Sequence, residues 1–301
     1  MRIAISGASG LIGSALRAHL INAGHEISVL VRGERPEKST IPWNAYANAE
    51  EQPCDPRKLD GVEAFIHLSG ENVAAGRWTA AQKQRLRDSR LITTRNLVRV
   101  MQQVKPLPRA LLCASAIGFY GERGDEILTE ESSLGAGFLP ELCNAWEQEA
   151  QTANAFGVRV VNLRFGLVLS RAGGPLAKML TPFKLGLGGR LASGKQYMSW
   201  IAIEDAVRAV EYLLTTESLR GPVNMTAPEP VSNREFTRTL AAALHRPAVF
   251  PVPGIALKLL LGEMAEALLA GARVVPSKLS AAGFEFRYPR LQAALEEILR
   301  K

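Results

Sequence analysis

Three cysteines in 301 residues, with no Cys-x-x-Cys and no Cys/His set at ligand spacing, argue against a disulfide framework and a structural zinc site. Cys54, Cys113 and Cys143 are also odd in number, so a reducing, cytoplasmic setting is expected. No apolar run approaches the roughly 20 residues a membrane helix needs, and no membrane partner is expected. His67 reads as a structural residue inside the fourth strand, and His19, His25 and His245 lack ligand-spaced partners, so no metal is expected. A Gly-x-Ser-x-Gly nucleophile elbow and internal repeats are both missing. The net charge of +7 raises nucleic acid as a partner, but the basic residues are scattered, with no polybasic tail and no aromatic-interleaved patch. No nucleic acid is expected.

What is there reads as an ordinary globular composition, 47% apolar and 22% charged. The length suits one large α/β unit, or one unit with a smaller appendage, and buries a core without staples. The apolar start is interrupted by glycines at 7, 10 and 13, which fits a strand, turn and helix better than a leader peptide.

Short β-rich runs at Arg2–Ser6, Glu26–Val31, Ala64–Leu68, Ala110–Ser115 and Val158–Asn162 alternate with helical stretches near 11–23, 79–104 and 140–156. That alternation predicts an α/β fold with a doubly wound parallel sheet. From Arg171 the texture changes to glycine-rich loops and helices beginning near Asp205 and covering 232–244, 254–270 and 288–300. We therefore divide the chain into residues 1–170, carrying a nucleotide, and residues 171–301, a smaller helix-rich substrate region. The chain is expected to pass back into the first unit near 195–225.

Gly7-Ala8-Ser9-Gly10-Leu11-Ile12-Gly13 follows a strand and opens a helix. The first glycine permits a tight turn, the second lets the backbone approach a pyrophosphate, and the third allows close helix–strand packing. The helix N-terminus offers free N–H groups to the phosphates. An NAD-selective site ends its second strand in Asp or Glu, but this chain has Val31-Arg32-Gly33-Glu34-Arg35. The guanidinium of Arg32 suits a 2′-phosphate, which favours NADP(H); a solvated surface arginine is the alternative. On the helix at 79–104, Leu86, Arg90, Thr93, Leu97 and Val104 form one stripe. Arg90 on that stripe needs a partner, either a bound phosphate or a buried carboxylate.

These residues resemble the extended short-chain dehydrogenase/reductase superfamily. The resemblance extends to Phe65-Ile66-His67-Leu68-Ser69-Gly70, to Ser115-Ala116-Ile117-Gly118-Phe119-Tyr120-Gly121 and to Trp200-Ile201-Ala202-Ile203-Glu204-Asp205. More narrowly, the chain is similar to an atypical epimerase-family branch of the YfcH type. Gly70-Glu71-Asn72 with Arg77-Trp78, Trp146-Glu147, Leu185–Trp200 and Val274–Leu279 carry that likeness over essentially the whole chain. The resemblance implies a Rossmann-type fold and puts Gly7, Gly10 and Gly13 at the pyrophosphate and Arg32 at the 2′-phosphate. It also implies that Leu68 and Ser69 line the cofactor and that Arg90 contacts it.

The sequence departs from the superfamily at the catalytic helix. Ser115 matches the serine after the fifth strand, but no Tyr-x-x-x-Lys occurs from 139 to 156. Cys143 and Glu147 stand roughly at the tyrosine and lysine positions, and a carboxylate cannot lower a neighbouring pKa as an ammonium does. The candidates for the chemistry are Ser115, Glu71, Tyr120 and Glu147. Tyr120 is otherwise a pocket wall and Glu147 otherwise a structural carboxylate, while Cys143 fits a core position better than a nucleophile. Trp200 is either core or part of a loop closing over substrate.

The resulting expectation is an NADP(H)-dependent oxidoreductase or epimerase acting on a small sugar-like or carbonyl substrate. The alternative is a non-catalytic NADP(H)-binding sensor or interaction protein. A protein partner or a homo-oligomer is left open.

Overall fold

The first strand, β1 (Arg2–Ser6), is buried from Ile3 to Ser6, as expected of a strand covered on both faces. In a computed structural model of the chain, which describes residues 1–33 and 39–300, it lies inside a seven-stranded parallel sheet. The other strands are β2 (Glu26–Val31), β3 (Thr40–Pro42), β4 (Ala64–His67), β5 (Ala110–Ala116), β6 (Arg159–Phe165) and β7 (Gly221–Met225). Their order across the sheet is β7-β6-β5-β4-β1-β2-β3. The sheet winds outward in both directions from β1 and β4, which is the Rossmann-type, doubly wound arrangement. Its switch point opens at the carboxyl ends of β1 and β4, where sheets of this kind bind ligands.

Helices α1 (Leu11–Asn22), α2 (Ala80–Met101) and α3 (Phe138–Gln151) connect the first strands. On α2, Leu86, Arg90, Thr93 and Leu97 are all buried, so the stripe read from the sequence faces inward. Helix α4 (Gly174–Lys184) leads to the glycine-rich loop 186–194, and α5 (Ile203–Thr215) returns the chain to β7. Helices α6 (Asn233–Ala243), α7 (Gly254–Leu261), α8 (Met264–Leu269), α9 (Ser277–Ala281) and α10 (Leu291–Arg300) complete the chain. A second core gathers Leu180, Trp200, Phe236, Leu240 and Leu295. Trp200 is wholly buried and donates its indole N–H to the Glu229 carbonyl, so it is core rather than part of a closing loop.

Two boundaries differ from the sequence reading, and two strands of the sheet, β3 and β7, are absent from it. β6 runs to Phe165 rather than Asn162, because Arg164 stays inside the strand with a buried partner. The expected helix 254–270 is two helices, broken where Gly262 takes a left-handed φ of 61°. β3 has only three residues. β7 starts Gly221-Pro222, which hides a strand at the sheet edge, where proline is tolerated. Among the described residues no helix is long and apolar enough to cross a membrane.

Candidate active site

The turn after β1 is dictated by what a side chain would strike. A Cβ on Gly7, where φ is +76°, would lie 2.5 Å from the Leu68 carbonyl carbon and 2.7 Å from the Ser69 nitrogen. A Cβ on Gly13 would lie 2.2 Å from the Gly7 carbonyl oxygen. Gly10 differs, because its Cβ would meet only that same oxygen, at 3.4 Å, and its φ of −74° suits any residue. The fold therefore demands Gly7 and Gly13 but leaves open space beside Gly10. Gly10 also caps α1 without a side-chain hydrogen bond, so the first-turn N–H groups of Leu11 and Ile12 have no side-chain partner from the cap. An open cradle beside an uncapped helix N-terminus fits a dinucleotide pyrophosphate. Ser9, in the same turn, is exposed.

At the end of β2, Arg32 is exposed. With Gly33, Pro42, Trp43, Asn44 and Tyr46 it lines a cavity of about 420 Å³ at the carboxyl ends of β2 and β3. No carboxylate belongs to that lining among the described residues. Glu34 and Arg35, the next residues of the motif, lie outside the described residues. Tyr46, half exposed beside Arg32, carries no sequence signal of its own.

Beyond β4 the chain continues through Leu68, Ser69 and Gly70, close to the Gly7 turn through Leu68 and Ser69. Arg90 supports this segment from α2. Its guanidinium donates to the Glu71 carbonyl at 3.1 Å and to the Leu86 carbonyl at 3.1 Å, and it lies 5.0 Å from the centre of the Trp146 ring. The buried carboxylate weighed in the sequence reading is therefore not its partner, since backbone carbonyls and an aromatic face take that place. Burial pulls its pKa below the ordinary guanidinium value. The Glu71 N–H is fixed by Ser89 Oγ at 3.0 Å, while its side chain is only partly buried.

Three of the four residues proposed for chemistry meet in a buried chain of hydrogen bonds. Ser115, near the end of β5, donates to Glu147 Oε1 on α3 at 2.6 Å. Arg164 on β6 clasps both Glu147 oxygens, at 2.8 Å each. Its remaining nitrogen donates to Tyr120 Oη at 3.0 Å, and Tyr120 donates to Asn224 Oδ1 at 2.7 Å. Burial works against the Arg164 charge, but the Glu147 carboxylate more than offsets it and holds the guanidinium above its ordinary value. The cation also sits 3.5 Å from the centre of the Phe119 ring. Tyr120 is fully buried, and burial pushes its hydroxyl pKa up. Ser115, Glu147 and Tyr120 thus form one network, whereas Glu71 stands apart from it. Arg164 and Asn224 are absent from the sequence reading. The signal that could have found Arg164 is the one that singled out Arg90, a charge on an otherwise apolar element.

Two side chains are removed from the chemistry by burial. The Cys143 thiol is 4% exposed and pushed up to about 12, so it is no nucleophile near neutral pH. His67, at the end of β4, is held neutral, its pKa brought down to about 3 by burial between Ser6, at 2.5 Å, and Thr93, at 3.3 Å.

Comparison with known proteins matches residues 3–225 to the NAD dependent epimerase/dehydratase family and residues 252–298 to a domain of unknown function, DUF1731. An epimerase family protein of Mycobacterium bovis is 44% identical over 97% of this chain and 96% of its own length. The epimerase family protein YfhF of Bacillus subtilis is 36% identical over 99% of this chain and 98% of its own. The crystal structure of the human epimerase family protein SDR39U1 (isoform 2) with NADPH superposes with a TM-score of 0.89 at 32% identity, covering 100% of both chains.

Proposed function

The chain belongs to the NAD dependent epimerase/dehydratase family, and from that premise we propose that it is an NADP(H)-dependent oxidoreductase or epimerase working without a tyrosine–lysine relay. The observation that carries the cofactor is the open space beside Gly10, which the fold itself does not need to keep clear. Gly7–Gly13 would hold the pyrophosphate and Arg32 the 2′-phosphate, with no carboxylate lining that cavity among the described residues to repel it. The human relative crystallised with NADPH supports the same choice. Leu68, Ser69 and Gly70 would flank the cofactor at the end of β4. The bound nicotinamide would supply hydride transfer.

The substrate in this reading is a small sugar-like or carbonyl compound. Ser115 would touch its reacting oxygen. With its proton engaged by Glu147, the serine oxygen would accept a hydrogen bond from a substrate hydroxyl, and for a carbonyl substrate the proton would have to turn from Glu147 to the substrate oxygen. Glu147 acts as a positioning residue, since both its oxygens are held by Arg164 and one of them also by the Ser115 hydroxyl. Glu71, partly exposed after Gly70, is the acid or base that substrate can reach. Tyr120 holds Arg164 in place. The finer likeness to the YfcH type rests on the motifs alone. A cytoplasmic setting, consistent with three buried free cysteines, belongs to the same reading.

A paired titration with NADPH and NADH, followed by cofactor fluorescence, tests the proposal. Tight NADPH and weak NADH binding is expected, and binding of neither would overturn it. A second reading, a cofactor-binding sensor without catalysis, is favoured by the Glu147–Arg164 clasp where the relay lysine would stand. It would be supported by NADPH binding without turnover on carbonyl and nucleotide-sugar panels. Turnover that falls more than about tenfold in Ser115→Ala would decide for the enzyme.

A further inference from the structure

Four arginines surround a cavity that the site above does not use. Arg190 comes from the glycine-rich loop, Arg234 and Arg238 from α6, and Arg246 from the segment after α6. The cavity holds about 360 Å³. No Asp or Glu lines it, and among the described residues none of the four arginines forms an ion pair. Arg190 donates to the Ser193 carbonyl at 2.8 Å and Arg246 to the Lys184 carbonyl at 3.1 Å, contacts that aim two guanidiniums without neutralising them.

The like charges are held together by backbone geometry. A side chain at Gly194 would meet the Cβ atoms of both Arg190 and Arg234 at 3.3 Å, so those two residues flank one glycine. The Arg234 N–H donates to the Gly194 carbonyl at 2.9 Å, which ties α6 to the loop. Arg238 follows Arg234 by one helical turn on the same face, a spacing at which like charges repel. Apolar wall is supplied by Ala241 and Pro251. Arg234, Arg238 and Arg246 are exposed, so water screens their repulsion when the groove is empty, and a multiply charged anion, which planar guanidiniums grip in pairs, would turn that repulsion into attraction.

We propose that this groove between α6 and the glycine-rich loop is a binding site for a small anion carrying two or more phosphoryl groups, separate from the cofactor and catalytic residues. Its concave shape and volume suit a compact ligand. No aromatic side chain lines it, so it lacks the stacking platform that single-stranded nucleic acid uses. Because Val252 N–H bonds the Arg190 carbonyl and Ala192 N–H the Val252 carbonyl, each at 2.9 Å, an occupant would brace the loop against the segment that follows α6.

The test is calorimetric titration of the full chain, saturated with NADPH, with pyrophosphate and tripolyphosphate at low and at moderate salt. Binding that strengthens from pyrophosphate to tripolyphosphate, weakens with salt and falls at least about tenfold in Arg234→Ala/Arg238→Ala is expected. The double variant should keep its melting temperature and its NADPH affinity, and Arg246→Gln should weaken binding as an independent check. No binding at low salt, or equal binding by the double variant, would overturn the site. So would retention of the wild type, lost in the double variant, by anionic vesicles or single-stranded oligonucleotide when neither phosphate probe binds.

Discussion

Glu147 lies four residues after Cys143 on α3 and accepts the Ser115 hydroxyl at 2.6 Å while Arg164 holds both its oxygens. A carboxylate thus stands roughly where the resemblance would put a lysine, and the strand beside it supplies the cation instead. The cation nearest this serine and carboxylate therefore comes from β6 and not from α3. Both groups are less than a tenth exposed, so neither is replaced by water when its partner is lost.

Removing one member of that pair leaves the other charge buried, which typically costs about 3–5 kcal/mol. Arg164→Met should therefore lower unfolding stability by that order, and Glu147→Leu likewise. The double variant Arg164→Met/Glu147→Leu should recover much of the loss. Urea unfolding of all four proteins measures the cycle. Additive losses would mean that the two side chains do not act as a pair.

Gly10 and Gly13 should separate folding from binding. Gly13→Ala places a methyl group 2.2 Å from the Gly7 oxygen and should destabilise the turn. Gly10→Ala meets nothing closer than 3.4 Å and keeps an ordinary φ, so its melting temperature should stay near that of the parent. It should nevertheless lose NADPH affinity, because the methyl group enters the cradle. Unchanged affinity in Gly10→Ala would place the pyrophosphate elsewhere.

Arg32→Ala should weaken NADPH binding about 10- to 100-fold, the range for loss of a charge-assisted hydrogen bond, and leave NADH nearly unchanged. The readout is the ratio of the two dissociation constants. An unchanged ratio would make Arg32 a solvated surface residue.

His67 makes stability fall with acid. Its folded pKa is near 3 against 6.5 when free, so the unfolded chain takes up the proton first as pH drops. The contribution is complete above about pH 6.5 and is lost between there and about pH 3. At pH 4.5 the loss from this group is about 3 kcal/mol at 1.36 kcal/mol per unit. His67→Gln should start lower at pH 7 and show a flatter profile in denaturant titrations at successive pH values. Parallel profiles would assign the acid sensitivity to other groups.

Elements that satisfy themselves locally were legible. Strands Arg2–Ser6 and Glu26–Val31 announce themselves by apolar runs, and the glycine spacing gives the turn between β1 and α1 without any tertiary information. The edge strand Gly221–Met225 was not legible, because its pairing with β6 outweighs the poor β-propensity of Gly221 and Pro222. Of the two partners weighed for Arg90, the carboxylate was not excludable from the sequence for a related reason. A buried guanidinium announces that it needs acceptors, but whether these are carboxylates or the carbonyls of Glu71 and Leu86 depends on which backbone lies opposite.

The amino-acid sequence by itself determined the alternation of strands and helices, the glycine turn with Arg32 after the second strand, and the missing tyrosine and lysine. Each of these is a property of neighbours in the chain, set by periodicity and by steric limits on a few residues. Only the tertiary structure decided that Arg164 answers Glu147, that Tyr120 is sealed beneath it, and that four arginines share one groove. Those pairings join residues 17 to 104 positions apart in the network, and the groove joins the loop at 190 to the segment after α6. Long-range charges find each other through the packing of whole elements, and local pattern carries no record of that.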